Sequence, residues 1–255
     1  MNRGITEYPH VVVCEKSLVD DTVYENFKSI PEYTQILQHC PLDVAERCLT
    51  KIVNHAKFAS IPWYLIGKND TIGNPELHDF TSLSKKIILP SYKFSTTTIL
   101  YLYQALCILD SYKVSFSVTE IGCGYGGLCY ILHVLAPIFD KTITNYTLID
   151  LPVVSEHQKK YLTDIGIYGT IANLRFVHSD KLKEIKSDLV ISIYALGEFP
   201  NTVANEYIEK VVKKSTNYYI WWNITPVEQF PYFANAIREK TGLNIDGYDL
   251  ILRNF

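Results

Sequence analysis

What this chain of 255 residues lacks already narrows its class. It contains no run of about 18 to 20 apolar residues, the length that a membrane-spanning helix needs. The apolar stretch near its start, residues 11–14, is shorter than the core of a signal peptide. It also has no internal repeat and no low-complexity segment. We therefore expect a cytoplasmic globular protein without a membrane span.

The sequence also has no CxxC pair and no excess of positively charged residues. None of the six cysteines forms a CxxC pair, and most lie among apolar residues, which favours reduced, buried thiols over zinc ligands or disulfides. The 24 lysine and arginine residues are outnumbered by 27 aspartate and glutamate residues, giving a net charge of −3. Because proteins that bind nucleic acid are usually basic, this balance argues against such a partner.

The most informative stretch is residues 117–132, SVTEIGCGYGGLCYIL. Its pattern predicts a buried strand, a turn with four glycines in six positions, and the start of a helix. Glycine lets the backbone turn sharply and lets a ligand approach the main chain, while a helix start offers free N–H groups. A turn that binds nothing is the alternative, but four glycines are a large entropic cost for a mere connection.

Two classes of cofactor use such a turn. Nicotinamide and flavin dinucleotides place a pyrophosphate on GxGxxG, which Gly122, Gly124 and Gly127 satisfy. S-adenosylmethionine (SAM) enzymes of the Rossmann-like class use an acid, any residue and then GxGxG, which residues 120–126 satisfy. SAM carries an ammonium and no phosphate, so Glu120 at the strand end suits SAM and would repel a pyrophosphate. The turn therefore favours SAM as the cofactor.

The chain divides into two predicted regions around residue 112. Residues 1–112 are expected to form a mainly helical cap or substrate region. Residues 113–255 alternate strands and helices, which predicts an α/β Rossmann-like domain with a mostly parallel twisted sheet and helices on both faces. The predicted strands after the turn are residues 144–149, 174–178, 188–194, 218–224 and 248–255, and the predicted helices are residues 20–38 (broken at Pro31), 43–59, 95–110, 153–165, 204–215 and 227–241.

Ligands bind at the carboxyl ends of the strands in such a sheet. Asp150 follows the second strand, where it either accepts hydrogen bonds from ribose hydroxyls or caps the next helix. Ser179 and Asp180 either face an adenine ring or form a turn, and residues 194–198 and Asn223 end the next two strands. The residues expected to bind the cofactor are Glu120, Gly122, Gly124, Tyr125, Gly126, Asp150, Leu151, Ser179, Asp180 and Tyr194.

Five spaced motifs resemble the sugar O-methyltransferase family of class I SAM-dependent methyltransferases. In order they are NDxxGNP at residues 69–75, a threonine-rich helix start at 96–100, EIGxGYGG at 120–127, IDLPxVxxxQxxYL at 149–162 and DLVISxYAxxE at 188–198. Gly197 stands where the family more often has serine. The chain after residue 224 is short, so we expect the antiparallel hairpin of the class to be reduced.

The resemblance implies transfer of a methyl group from SAM to a sugar hydroxyl of a glycan or glycoconjugate, such as a deoxyhexose like rhamnose, with S-adenosylhomocysteine (SAH) as product. A sugar hydroxyl is weakly acidic, so a base is expected. We predict Glu198 as that base and Asp70 as the group that holds the sugar, with His78, His157 and His178 as other options. No carboxylate or histidine cluster has metal-ligand spacing, so no metal is predicted.

The loop of residues 61–80 is either a plain surface loop or part of the acceptor site. Its polar turn residues Asn69 and Asn74 are predicted substrate contacts. Trp63 and Tyr92 either stack on a sugar face or, as aromatic residues more often do, pack in the core. The helical region either caps the pocket or forms a homodimer through the apolar face of helix 43–59.

Three other readings remain. An NAD(P)-dependent oxidoreductase would share the GxGxxG pattern and an acid about twenty residues on, and Asp150 lies 23 residues after Gly127. A small-molecule or nucleic-acid methyltransferase would share the fold, although the [DN]PP[YFW] tetrapeptide of base-modifying enzymes is replaced here by YALGEF. A non-catalytic SAM-fold module is the third reading, against which the intact acid and glycines argue.

Overall fold

The computed structural model describes residues 8–37, 40–80, 93–169, 173–243 and 250–255. The chain forms two compact units. The first unit comprises Met1–Asp110, Gly124–Asp140 and Val153–Thr170, and the second comprises Ser111–Cys123, Lys141–Pro152 and Ile171–Phe255. No helix in the described ranges is long and apolar enough to cross a membrane.

The first unit is helical. The helix pair predicted over residues 20–38 is confirmed, because Asp20 caps the first helix through the N–H groups of Thr22 and Val23, and Pro31 begins the second. The helices carried by this unit are α1 (Pro9–Ser17), α2 (Asp21–Asn26), α3 (Pro31–Leu37), α4 (Leu42–Val53), α5 (Trp63–Lys68), α6 (Thr96–Ser111), α7 (Gly127–Leu135) and α8 (Pro152–Asp164).

Helix α4 is amphipathic as predicted but ends six residues before its predicted end. It ends at Val53, and a separate 3₁₀ turn follows at Phe58–Ser60. The side chain of Asn54 donates to the Thr50 carbonyl, and the N–H of Lys57 donates to the ring of His55. These side chains take over backbone groups that a longer helix would pair, which is how asparagine and histidine end a helix locally.

The second unit contains a seven-stranded sheet with the order β3-β2-β1-β4-β5-β7-β6. Strands β1 to β5 run parallel, whereas β7 is antiparallel to both β5 and β6. This confirms the Rossmann-like α/β fold class. The elements of the unit are β1 (Ser115–Ile121), β2 (Thr142–Asp150), β3 (Leu174–His178), β4 (Leu189–Ile193), α9 (Asn201–Lys210), β5 (Asn217–Trp222), β6 (Ile237–Lys240) and β7 (Leu250–Arg253).

The helix predicted over residues 227–241 is wrong. Two 3₁₀ turns, Val227–Gln229 and Pro231–Phe233, precede strand β6 instead. Pro231 has no N–H and its ring blocks a preceding helical turn, while Phe230 and Phe233 pack against Trp222 in the core of the unit. The antiparallel hairpin of β6 and β7 is present and short, with four paired residues in each strand.

Candidate functional site

The strand order places a ligand crevice at the ends of β1 and β4. Strands β2 and β3 lie on one side of β1, and β4 and β5 lie on the other, so the order reverses at this pair. In open α/β sheets, ligands bind outside the carboxyl ends of the strands at such a reversal. Gly122 follows β1 there, and Tyr194 and Ala195 follow β4.

Gly122 fits this position because no side chain has room. Its φ is +70°, and a Cβ atom built on it would lie 2.2 Å from the Cβ of Ala195. The next residue, Cys123, donates its backbone N–H to Asp150 Oδ2 at 2.9 Å. The other oxygen of Asp150 accepts from the N–H of Leu151 at 2.8 Å. The carboxylate of Asp150 therefore joins the ends of β1 and β2, and its partly buried oxygens lie where ribose hydroxyls were predicted to bind.

Glu120, the last acid before the turn, is buried. Its side chain is 3% exposed and accepts a hydrogen bond from the hydroxyl of Tyr146 at 2.6 Å. The pKa of Glu120 is raised to about 8, mainly by burial; the bond from Tyr146 lowers it in part, and the charge of Asp150 adds to the rise. The carboxyl group is thus mostly protonated at neutral pH unless a cation lies beside it.

Strained backbone marks the ends of β4 and β5. Tyr194 has a φ of +61° and Ile224 a φ of +52°. Positive φ is uncommon for non-glycine residues, and it is an outlier for a β-branched residue such as Ile224. Tyr194 donates its N–H to the carbonyl of Trp221, and the two rings meet edge to face at 5.7 Å. Such strain is concentrated at functional sites, because only a surrounding structure selected for a purpose maintains it.

Glu198, the predicted base, is the exposed last residue of the 3₁₀ turn Leu196–Glu198 after β4, whose first two residues are buried. Asn223, which is 2% exposed and follows β5, donates its side-chain N–H to Glu198 Oε1 at 2.5 Å. A Cβ atom on Gly197 would lie 2.4 Å from the Asn223 carbonyl oxygen. Position 197 therefore has no room for a larger side chain. Sequence reasoning placed Asn223 at a strand end and assigned it no role.

Ser179 and Asp180 form a turn, which was one of the two alternatives predicted for them. They begin the 3₁₀ turn Ser179–Lys181 directly after β3, and Asp180 is exposed. The side chain of Ser179 is hydrogen-bonded to Tyr207. Contact of these residues with an adenine ring stays a prediction.

Residues of four resemblance motifs meet in one buried network of the first unit. The side-chain amide of Asn69 donates to Thr98 Oγ1 at 2.6 Å and to the hydroxyl of Tyr125 at 2.9 Å. The hydroxyl of Tyr161 donates to Asn69 Oδ1 at 2.7 Å, and Gln158 donates to the carbonyl of Gly124 at 2.8 Å. The network fixes the glycine turn from Gly124 onward, so Asn69 has a structural role beside its predicted substrate contact.

Asp70 is 9% exposed, and both of its oxygens are engaged. Oδ1 accepts from the hydroxyls of Ser95 and Thr98 at 2.8 and 2.7 Å, and Oδ2 accepts from the N–H of Ser95 at 2.8 Å. The hydroxyl of Ser95 in turn accepts from the N–H of Thr98, as the predicted cap of α6 requires. The reading of residues 61–80 as a plain surface loop is therefore wrong at Asp70, whose contact with a sugar stays a prediction.

The remaining predicted substrate residues do not come together. Asn74 is exposed in a turn with a φ of +50° and donates to the side chain of Asn26. Trp63 is buried and packs against the rings of Phe58 and Phe94, which is the core packing favoured from sequence. Tyr92 lies outside the described residues.

Lys28 is a buried charge that sequence reasoning missed. It is 1% exposed, and its Nζ donates to the carbonyl of Asn69. The same Nζ lies 4.1 Å from the ring centre of Tyr125 and 4.8 Å from that of Tyr161. Burial lowers the pKa of Lys28 to about 7, while the charge of Asp70 raises it. Lys28 lies in the first sixty residues, outside every motif, so no signal in the sequence pointed to it.

The structure describes the surroundings of the three histidines that were the other options for the base. His157 is buried, its Nδ1 lies 2.7 Å from Ser17 Oγ, and burial lowers its pKa to about 3. His178 ends β3, and His78 bridges to Phe94 with Nε2 3.7 Å from Glu76. Across the described ranges, no group of three or more histidine, cysteine, aspartate or glutamate side chains is placed to hold a metal.

No protein-family model matches this chain, and no curated protein matches it. Among solved structures, a candidate RNA methyltransferase, PH1948 from Pyrococcus horikoshii, is 15% identical over 75% of this chain and 97% of its own, with a TM-score of 0.46. TrmK of M. capricolum, in complex with SAH, is 13% identical over 59% of this chain and 66% of its own, with a TM-score of 0.41. An O-methyltransferase family protein from Burkholderia thailandensis is 13% identical over 63% of this chain and 59% of its own, with a TM-score of 0.40. Likenesses this distant transfer neither an acceptor nor a residue's role, so the function of this chain rests on its own residues.

Proposed function

We propose that this protein is a SAM-dependent O-methyltransferase that acts on a sugar hydroxyl. The observation that carries the proposal is the end of β1, where an acid and a glycine turn stand at the strand reversal with Asp150 bound to the turn. Gly122, which has no room for a Cβ atom, keeps the main chain open to a ligand. The motifs that resemble sugar O-methyltransferases support the same cofactor and supply the acceptor class.

The residues fit SAM better than a dinucleotide. Asp150 offers carboxylate oxygens to ribose hydroxyls, a feature that both cofactor classes use. Glu120 distinguishes them, because an ammonium near its carboxyl group stabilises the ionised form, whereas a pyrophosphate would oppose that ionisation. When bound, SAM supplies a methyl group on a sulfonium, an excellent leaving group. The protein then has to align the acceptor oxygen and receive its proton.

Glu198 is the proposed acceptor of that proton. Its side chain is exposed to solvent, and the bond from Asn223 to Oε1 holds the carboxylate at the end of β4. Asn223 acts as a positioning residue, since its buried amide fixes the direction of the carboxylate. Alignment supplies several kcal/mol of barrier lowering, and a positioned base adds a factor of about 10² to 10⁴.

The test is methyl transfer to methyl glycosides and nucleotide sugars, measured by mass spectrometry with wild type, Glu198→Gln and Asn223→Ala. We expect Glu198→Gln to lower turnover at least about tenfold while SAH affinity is unchanged. Asn223→Ala should lower kcat less and move the acidic limb of the pH profile to higher pH, because the donor that stabilises the ionised carboxylate is gone. Wild-type turnover by Glu198→Gln would remove the assignment of the base, and hydride transfer with NADH would replace the proposal with an oxidoreductase.

A further inference from the structure

Helix α6 carries two polar side chains that are buried without a partner. Gln104 is 0% exposed, and neither its Nε2 nor its Oε1 has a hydrogen-bond partner among the described residues. The hydroxyl of Thr97, on the same helix, is also buried and unpartnered within them. Burying a polar atom without a hydrogen bond destabilises a fold, so each such atom in a native structure needs an explanation. A ligand that binds there is one.

The two side chains share a face of α6 with Tyr101. Thr97, Tyr101 and Gln104 are spaced i, i+4 and i+7, which places them on one side of the helix. Tyr101 on this side packs against the glycine turn. A Cβ atom built on Gly127 would lie 2.6 Å from Tyr101 Cε2, and one built on Gly124 would lie 3.6 Å from the Tyr101 hydroxyl oxygen. The polar side of α6 therefore faces the glycine turn within the first unit.

The unpartnered atoms match a zwitterion. The amide N–H of Gln104 and the hydroxyl of Thr97 can donate to a carboxylate, and the amide oxygen of Gln104 can accept from an ammonium. SAM and SAH carry such a pair of charges at their amino-acid end. We propose that Thr97 and Gln104 hold this end of the cofactor. The inference rests on the proposed function, because it concerns the same cofactor.

The test compares two ligands that differ in the amino-acid group. SAH carries it, whereas 5′-methylthioadenosine has the same adenosine and thioether without it. Calorimetric titrations would use wild type, Gln104→Leu, Thr97→Val and the control Tyr103→Phe. Tyr103 also lies on α6, two residues from Tyr101 and on the side where Lys51 approaches its ring. The unfolding temperature of each ligand-free variant would be measured in parallel.

We expect Gln104→Leu to weaken SAH binding by about 10- to 100-fold, the loss typical of hydrogen bonds to charged groups, and to leave 5′-methylthioadenosine binding unchanged. Thr97→Val should act in the same direction, and Tyr103→Phe should not. The ligand-free Gln104→Leu protein should unfold at a temperature about 2 to 4 °C higher, because an unpartnered amide is replaced by an apolar group of similar size.

Two results would overturn the inference. SAH affinity unchanged in both variants would mean that the buried atoms bind water or nothing, and equal weakening of both ligands would mean a general distortion of the turn. A wild-type protein that binds neither ligand would contradict the proposed function itself, and the inference would fall with it. A lower unfolding temperature for Gln104→Leu would show that the amide has a structural partner.

Discussion

Replacing Glu120 with glutamine should change how the stability of the protein depends on pH. Glu120 titrates near 4.5 in an unfolded chain, and burial raises its pKa to about 8 in the folded protein. Because the folded pKa is higher, the contribution of this group to stability is fully present below about pH 4.5 and is lost as pH rises towards 8. Glutamine is neutral at every pH and has nearly the same shape.

The size of the effect follows from the displacement of the pKa. A rise in pKa from 4.5 to about 8 lowers the unfolding free energy by roughly 5 kcal/mol once Glu120 is fully ionised, and by roughly 3 kcal/mol at pH 7. Lys28 acts in the opposite sense, because its lowered pKa of about 7 makes stability rise with pH above that value. The difference between wild type and Glu120→Gln cancels the contribution of Lys28 and isolates that of Glu120.

The assay is urea unfolding of both proteins at pH 5, 7 and 9. We expect nearly equal stability at pH 5 and a growing advantage of Glu120→Gln towards pH 9. Tyr146→Phe is the companion variant: it removes the 2.6 Å hydrogen bond that stabilises the ionised carboxylate, so it should steepen the decline of stability with pH. A difference between Glu120→Gln and wild type that stays constant from pH 5 to 9 would refute the buried, protonated carboxyl group.

Two further substitutions test the turn and the helix cap. Gly122→Ala should lower the unfolding free energy by about 2 to 4 kcal/mol, because it adds a 2.2 Å contact with Ala195 to a positive φ. Gly166→Ala is the control, since Gly166 also has a positive φ (+85°) but open space around it. Urea unfolding should show a smaller loss of unfolding free energy for Gly166→Ala than for Gly122→Ala. Equal losses would contradict the close contact between position 122 and Ala195. Asp70→Asn should cost about 1 to 3 kcal/mol, since an amide has one acceptor oxygen for the three donors of Asp70. If Asp70 also contacts the sugar, Asp70→Asn should lower turnover about tenfold while SAH still binds. Turnover at the wild-type level would mean that Asp70 only caps the helix.

The regular elements near the glycine turn could be predicted from sequence because their signals are local. Strand β3 has the predicted bounds, and Ser95 caps α6 as the run of serine and threonine indicated. The failure at residues 227–241 has a tertiary cause. A helix is predicted there, yet Phe230 and Phe233 are buried against Trp222, and Phe233 ends a short turn that begins at Pro231.

Polar turn residues were harder to interpret, because burial cannot be read from composition. Asp70 and Asn69 look like surface turn formers, but their partners Ser95, Thr98 and Tyr125 are brought to them only by the fold. Asn223 carried a usable signal, its position directly after a strand. Its pairing with Glu198 depends on the neighbouring ends of β4 and β5, which a sequence does not show.

Whether the protein binds a SAM-type cofactor at Asp150 can be measured by calorimetric titration of SAH into wild type and Asp150→Ala. We expect wild-type binding with a dissociation constant on the order of micromolar and its loss in Asp150→Ala, because the carboxylate that joins Cys123 to the end of β2 is removed. Circular dichroism of the variant would confirm that it is folded. Absence of SAH binding by the wild-type protein would contradict the proposed methyltransferase activity and make a nicotinamide cofactor the next ligand to titrate.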